Sequence, residues 1–304
     1  MYCHQIKKPY PESCLAKILK TTEANGKGNY KKYFVKILLC SFVPLWLRTY
    51  IYNMKALIFA AGLGTRLRPL TNDKPKALVE INGKTLLQIT IEKLVEFGFN
   101  DIMVNIHHFA DLMLETIEKN NGFGANITIS DERNELLETG GGLKKAAWFF
   151  DDNQPFLVHN VDVIHNLDLK QLYDYHLTHN ALVTLAIRKR STSRYLLFNN
   201  KNQLRGWQNI KTGEVKIARR TQGQLWSFGF SGIHVIDPKI FPLLTEEGKF
   251  SIIHPYLRLA KTELIQGFNH SSEASGQANS TWIDVGKHES LAEAKAFFLS
   301  QQKQ

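Results

Sequence analysis

The chain has 304 residues, 43% hydrophobic and 22% charged, an ordinary mixture for a globular chain with a real core. The formal net charge of +10 is unevenly placed: residues 1–53 hold nine Lys and Arg against Glu12 and Glu23, which is +7, and leave only +3 for residues 54–304. All three cysteines, Cys3, Cys14 and Cys40, precede residue 54, so the larger part holds no disulfide framework and no cysteine metal site.

Residues 1–53 show no sustained helical or strand period. Their apolar run, 34–47, is interrupted by Lys36 and Pro44 and is short for a membrane span. The following Leu47-Arg48-Thr49-Tyr50 offers no small-residue cleavage site. A buried strand begins immediately after Met54. These features read as a basic N-terminal extension upstream of a natural start at Met54, in preference to a disordered basic tail or a membrane-proximal anchor. Residues 54–304 then form the working domain.

From Met54 the pattern alternates. Residues 55–61 read as a strand, 85–97 as a helix, 101–107 as a strand and 111–119 as a helix stopped by Asn120-Asn121-Gly122. Residues 126–130 form the next strand, 139–150 a helix opened by three glycines, and 156–163 a strand. Residues 168–178 and 181–187 continue as helix and strand. This order predicts an α/β, doubly wound, mainly parallel sheet. Beyond residue 190, short strand-like pieces at 195–198, 203–207 and 215–218 are separated by polar turns and read as inserted β-hairpins. Residues 228–236 return as a sheet strand, 237–244 and 252–261 as helices, 281–285 as a short strand and 287–300 as a terminal helix.

The first strand runs into Ala60-Ala61-Gly62-Leu63-Gly64-Thr65-Arg66-Leu67-Arg68-Pro69-Leu70, with Lys74-Pro75-Lys76 close behind. The dinucleotide fingerprint needs a third glycine where Leu67 stands. The Walker A loop needs one at Leu78, ahead of Gly83-Lys84-Thr85. What remains is a glycine turn at the carboxyl end of a parallel strand, where doubly wound folds bind ligands. Its glycines let backbone N–H groups meet an anion, and Arg66, Arg68, Lys74 and Lys76 add a cation density suited to a polyphosphate. A solvated basic loop is the plainer alternative. Two acidic residues interrupt apolar strands: Asp162 after Phe156-Leu157-Val158-His159-Asn160-Val161, and Asp284 in Trp282-Ile283-Asp284-Val285-Gly286. Each fits a metal ligand or, alternatively, a helix cap.

The run Gly62-Leu63-Gly64-Thr65-Arg66-Leu67-Arg68-Pro69-Leu70-Thr71 with Lys74-Pro75-Lys76 resembles the signature of the sugar-1-phosphate nucleotidylyltransferases, and the resemblance covers residues 54–299. It implies a Rossmann-like (GT-A-like) fold. It also implies that a sugar-1-phosphate oxygen attacks the α-phosphorus of a nucleoside triphosphate and expels pyrophosphate. Both reactants are anions, so positioning and cations carry the catalysis and no general base is needed. By this resemblance Arg66, Lys76 and Asp162 are catalytic. Ala61, Gly62, Gly64, Thr65 and Arg66, with Glu138, Thr139 and Gly140, bind the nucleotide. Asn160, Ser231 and Gly232 meet the sugar, and Asp162 and Asp284 hold Mg²⁺. The chain has Asn160-Val161-Asp162 where the family usually has Asn-Gly-Asp.

The runs Leu136-Leu137-Glu138-Thr139-Gly140-Gly141-Gly142 and Trp282-Ile283-Asp284-Val285-Gly286 look most like the N-acetylmuramate-1-phosphate uridylyltransferases of cell-wall recycling. UTP is therefore the favoured nucleotide. A mannose- or heptose-1-phosphate guanylyltransferase is the alternative, and a non-catalytic nucleotide-sugar-sensing subunit is the rival from another class. A cytoplasmic location is expected, without nucleic acid or membrane as partner, and monomer and homo-oligomer stay open. Mass spectrometry of the protein from its native cell is expected to find an N-terminal peptide beginning at Met54; a peptide from before it would overturn the internal start.

Overall fold

The computed structural model describes residues 54–276 and 280–301, and the basic extension expected at 1–53 lies outside the described residues. The chain opens with β1 (Met54–Phe59), a small hairpin of β2 (Glu80–Ile81) and β3 (Lys84–Thr85), α1 (Leu86–Glu96), β4 (Phe99–Ile106), α2 (Ala110–Lys119), β5 (Asn126–Asp131) and α3 (Glu138–Lys145). It continues through β6 (Phe156–Asn160), β7 (Val163–His165), α4 (Leu169–His179), β8 (Val183–Arg188), β9 (Arg194–Phe198), β10 (Leu204–Asn209), β11 (Glu214–Ile217) and β12 (Trp226–Ile236). The last elements are α5 (Ile253–Leu259), β13 (Ile265–Asn269), β14 (Trp282–Asp284) and α6 (His288–Gln301).

One sheet organises these elements. β1 pairs in parallel with β4 on one side and β6 on the other, and β5 extends β4 in parallel. β12 runs antiparallel to β6 and β8, and β13 returns parallel to β8. The start of β12 also pairs with β9, which carries β10 and β11 as the inserted hairpins. The sheet is therefore Rossmann-like, mainly parallel in the half where β1 runs into the Gly62–Arg66 loop, as the strand–helix alternation requires.

Period-two side chains explain why helices cover both faces. Along β1, Ala56 and Ile58 join the core beneath α1, α2, α4 and α6, whereas Leu57 and Phe59 join the opposite core with Leu143, Tyr256 and Leu259. Thr85 caps α1 by accepting from the Gln88 N–H, and Asp168 caps α4 by accepting from the Gln171 N–H. No helix among the described residues is long and apolar enough to cross a membrane.

Several elements differ from the sequence reading. The helix expected over 139–150 ends at Lys145 and passes into a 3₁₀ turn, Ala147–Phe149. The helix expected at 237–244 is a 3₁₀ segment, Pro238–Leu243, whose internal Pro242 has no N–H to donate. The strand 156–163 breaks at Val161 and Asp162, and its end reappears as β7, paired with β14. β13 was not anticipated, since Gln266 and Gly267 break its apolar period.

The three glycines of α3 are packing devices. A Cβ on Gly140 would lie 2.3 Å from the Phe250 ring, and one on Gly141 would lie 2.3 Å from the Gly248 carbonyl oxygen. Backbone cannot yield as a side chain can, so Gly141→Ala is expected to destabilise the fold by about 1–3 kcal/mol. Urea unfolding checks this, and an unchanged midpoint would remove the close approach.

Candidate active site

The carboxyl ends of β1, β4 and β6 meet at a cleft of about 330 Å³. Ala61, Gly62, Lys76, Glu138, Thr139, Asn160 and Asp162 all line it, so the sheet gathers seven of the expected residues from segments far apart in sequence. The glycine loop leaves β1 through Ala60 and Ala61. Gly64 takes φ +64°, and a Cβ there would crowd Lys76 Cβ at 3.0 Å and Thr71 Cγ2 at 3.1 Å. Its carbonyl accepts the Thr71 hydroxyl at 2.9 Å and the Leu67 N–H at 2.9 Å, which tightens the turn. Gly62 has open space where a Cβ would stand, and Thr65 and Arg66 are exposed. This stretch of the loop thus offers itself to a ligand.

Lys76 is unlike its neighbours in the loop. Its side chain is 9% exposed and its ammonium donates to Asp162 Oδ2. Asp162 occupies the turn after β6, where the Val161 N–H donates to the Phe59 carbonyl at 3.1 Å and the Asp162 carbonyl accepts the Val285 N–H at 2.8 Å. The second bond ties Asp162 to the end of β14, which carries Asp284. Gly286 makes the remaining space: a Cβ there would lie 2.7 Å from Asp284 Oδ1 and 2.8 Å from an Arg66 terminal nitrogen. Lys76, Asp162, Asp284 and Arg66 therefore converge beyond the strand ends.

Burial, then the nearby Asp162 charge, pushes the Asp284 carboxyl above the usual carboxylate range despite Lys76, Arg66 and Arg190. Its Oδ1 is buried and has no hydrogen-bond partner among the described residues. Two carboxylates, one with an unsatisfied oxygen, suit a hard divalent cation that takes oxygen ligands and completes its shell with substrate phosphate. No group of three or more His, Cys, Asp or Glu that could hold a metal without the substrate occurs among the described residues.

Three expected residues sit differently. The Gly140 N–H donates to the Phe250 carbonyl at 2.8 Å, so it is not a free donor for a nucleobase, and its bare face meets Phe250. Ser231 is fully buried; its hydroxyl bonds His270 Nε2 at 2.8 Å and its carbonyl accepts the Trp282 indole N–H at 2.8 Å. Gly232, at φ +76°, lies against Asn160, with a would-be Cβ 2.8 Å from the Asn160 amide nitrogen. It seats Asn160, which itself lines the cleft.

Asn105 and Glu132 line the same cleft and were not anticipated. Asn105 is the penultimate residue of the apolar strand β4, a polar interruption like the one that marked Asp162. Glu138 begins α3 at φ +58°, a conformation that side chains other than glycine adopt at a cost.

Residues 55–196 match the family described as Nucleotidyl transferase. The N-acetylmuramate alpha-1-phosphate uridylyltransferase of Caulobacter vibrioides is 31% identical over 79% of this chain and 95% of its own length. The chain belongs to the sugar-1-phosphate nucleotidyltransferases. The enzyme is also 30% identical to the mannose-1-phosphate guanyltransferase of Yarrowia lipolytica over 81% of this chain, but spans only 64% of that relative's length. Its fold matches a putative glucose-1-phosphate thymidylyltransferase from Bacillus anthracis with a TM-score of 0.66 at 19% identity, over 80% of this chain and 94% of the other.

The raised Asp284 pKa has a consequence for stability. The folded state holds the proton more tightly than the unfolded chain. The stabilising contribution is therefore present at low pH and is lost as pH rises through the folded value. Once ionised, the buried carboxylate, with its Oδ1 unpartnered, is a net burden on the ligand-free enzyme. Asp284→Asn is expected to raise its thermal midpoint at pH 7 by a few degrees, about the shift that ~1 kcal/mol produces. The gain should shrink at pH 4; a lower midpoint at pH 7 would overturn this reading.

Proposed function

We propose that this sugar-1-phosphate nucleotidyltransferase transfers a uridylyl group from UTP to N-acetylmuramate 1-phosphate, releasing pyrophosphate, with Mg²⁺ as the divalent metal. The observation that carries the chemistry is the convergence of Lys76, Asp162, Asp284 and Arg66 at the cleft mouth. The near full-length similarity to the Caulobacter enzyme supports the substrate pair.

The nucleotide's phosphates lie along the exposed Gly62–Arg66 loop, where backbone N–H groups and Arg66 meet their charge. The base enters the cleft between Ala61 and the Glu138-Thr139 turn. Lys76, held by Asp162 in one orientation, faces the phosphorus under attack, where negative charge accumulates in the transition state. Asn160, seated by Gly232, meets the sugar. Asp162 and Asp284 would hold Mg²⁺, which when bound neutralises phosphate charge and releases Asp284 from its unpaired state. The sugar phosphate oxygen is already ionised near neutral pH, so no residue has to remove a proton.

Retention of Lys76, both carboxylates and Arg66 favours an enzyme over a sensing subunit, which has no use for the paired carboxylates. A pyrophosphate-release assay tests the reading, with UTP, GTP, CTP and dTTP each against N-acetylmuramate, N-acetylglucosamine, glucose and mannose 1-phosphates. UTP with N-acetylmuramate 1-phosphate is expected to be fastest; GTP with mannose 1-phosphate leading would replace the substrate pair and keep the chemistry. Asp162→Asn and Asp284→Asn should each lower kcat about 100-fold or more, the scale seen when a transition-state charge loses its partner. Normal turnover in both variants would remove the metal assignment.

A further inference from the structure

Over Trp282 of β14, the strand that carries Asp284, stand two guanidinium groups that the chemistry above does not use. Arg188 ends β8 and Arg190 follows two residues later, and both lie over the Trp282 ring, with Cζ 5.7 Å and 4.7 Å from its centroid. Trp282 is two residues before Asp284 on β14, and its indole N–H to the Ser231 carbonyl holds the ring in place. Arg190 donates to the Phe230 carbonyl at 3.1 Å. The Nε of each arginine is buried without a hydrogen-bond partner among the described residues, and neither arginine joins an ion pair among them.

A desolvated cation that joins no close ion pair is expensive, and burial pulls the pKa of both arginines down, against the more distant charges of Glu293 on Arg188 and Asp284 on Arg190. The fold nevertheless makes room for it. A Cβ on Gly229 would lie 2.6 Å from Arg190 Nε, so the glycine is what seats the side chain. Of the charged groups that act on Asp284, Arg190 acts least, after Asp162, Lys76 and Arg66. Arg190 therefore stands on the Trp282 side of Asp284, against the Phe230 carbonyl.

We infer that Arg190, seated with Arg188 on Trp282, is a specificity-determining residue that recognises a carboxylate carried by the sugar of the sugar 1-phosphate. A planar guanidinium fork matches a carboxylate with two parallel hydrogen bonds, and stacking on an aromatic face pre-organises it. The phosphate groups already have Arg66, Lys76 and the metal that the carboxylate pair would hold. N-acetylmuramate differs from N-acetylglucosamine by a lactyl ether that ends in a carboxylate. The inference rests on the nucleotidyl-transfer reading of the cleft and adds to it the acidic substituent and the residue that reads it.

The test compares kcat/KM of the full chain and of Arg190→Gln for three acceptors: N-acetylmuramate 1-phosphate, the same sugar with its lactyl carboxyl amidated, and N-acetylglucosamine 1-phosphate. The unaltered enzyme is expected to prefer the acid over the amide by about 10- to 100-fold, as charged hydrogen bonds are worth. Arg190→Gln should erase most of that preference, chiefly through KM, and Arg190→Lys should restore part of it. Equal losses with all three acceptors would assign Arg190 to the shared phosphate or to folding and overturn the inference. So would an unaltered enzyme that treats acid and amide alike, a comparison that needs no variant to fold. Rejection of N-acetylmuramate 1-phosphate with Arg190-dependent use of a uronic acid 1-phosphate would uphold the carboxylate reader and overturn the muramate assignment. Preference for a neutral sugar 1-phosphate would overturn both while leaving nucleotidyl transfer in place.

Discussion

The cleft depends on how β1 leaves the sheet. Where the strand ends, the N–H groups of Ala60 and Ala61 have no neighbouring strand to pair with. Asn105 of β4 takes both, its Oδ1 lying 2.6 Å and 3.1 Å away, and its amide donates to Glu132 Oε1 at 2.9 Å. Glu132 Oε2 then accepts the Leu137 N–H at 3.2 Å, just before α3 begins. Two buried side chains thus join the ends of β1 and β4 to the entry of α3. A buried polar network stabilises a single arrangement only when all of its members are satisfied. This one is closed by Gly142, where a Cβ would stand 2.8 Å from Glu132 Oε1 and 3.2 Å from the Asn105 amide nitrogen. The third glycine of α3 therefore serves the nucleotide loop from a distance.

On that frame the charges are divided between elements of different rigidity. The cations Arg66 and Arg68 ride on an exposed loop that must accommodate a ligand. The carboxylates sit at strand ends, tied to each other by the Val285 N–H to the Asp162 carbonyl. Lys76 bridges the two groups, since it belongs to the loop segment yet is buried and paired with Asp162. A reaction between two anions needs its positive charge placed before the reactants arrive, because reorganising charge during the step adds to the barrier. The unpaired Asp284 oxygen is the stability given up for that arrangement, as sites built for function often require.

The alternation of strands and helices, the loop cations and both aspartates were legible because each leaves a local mark: a period, a run of like charge, or an acid inside an apolar strand. Asn105 also interrupts an apolar strand, but carries no charge to distinguish it. The glycines were harder. A glycine shows that a Cβ would be unwelcome, but not whether a ligand or the protein itself comes close. Gly62 faces open space, whereas Gly140 and Gly141 face Phe250 and Gly248, more than a hundred residues away. Ser231 misled for a similar reason, since its partner His270 lies beyond β13, a strand that only its pairing with β8 reveals. Arg190 leaves no mark in the sequence, because only the fold places Trp282 beneath it.

Val161 shows how a departure from a family pattern is absorbed. A glycine before the aspartate leaves open whether the position needs a backbone conformation that only glycine adopts easily. Here Val161 does not take a positive φ, its N–H bonds the Phe59 carbonyl, and it is 5% exposed within the core beneath α1. The valine therefore strains nothing in the turn that carries Asp162. It also lines the cleft between Ala61 and Asp162, where glycine would leave space. Its effect is one of volume: it fills part of the cleft floor, and leaves the geometry of the charged groups to Asn105, Val285 and Gly286.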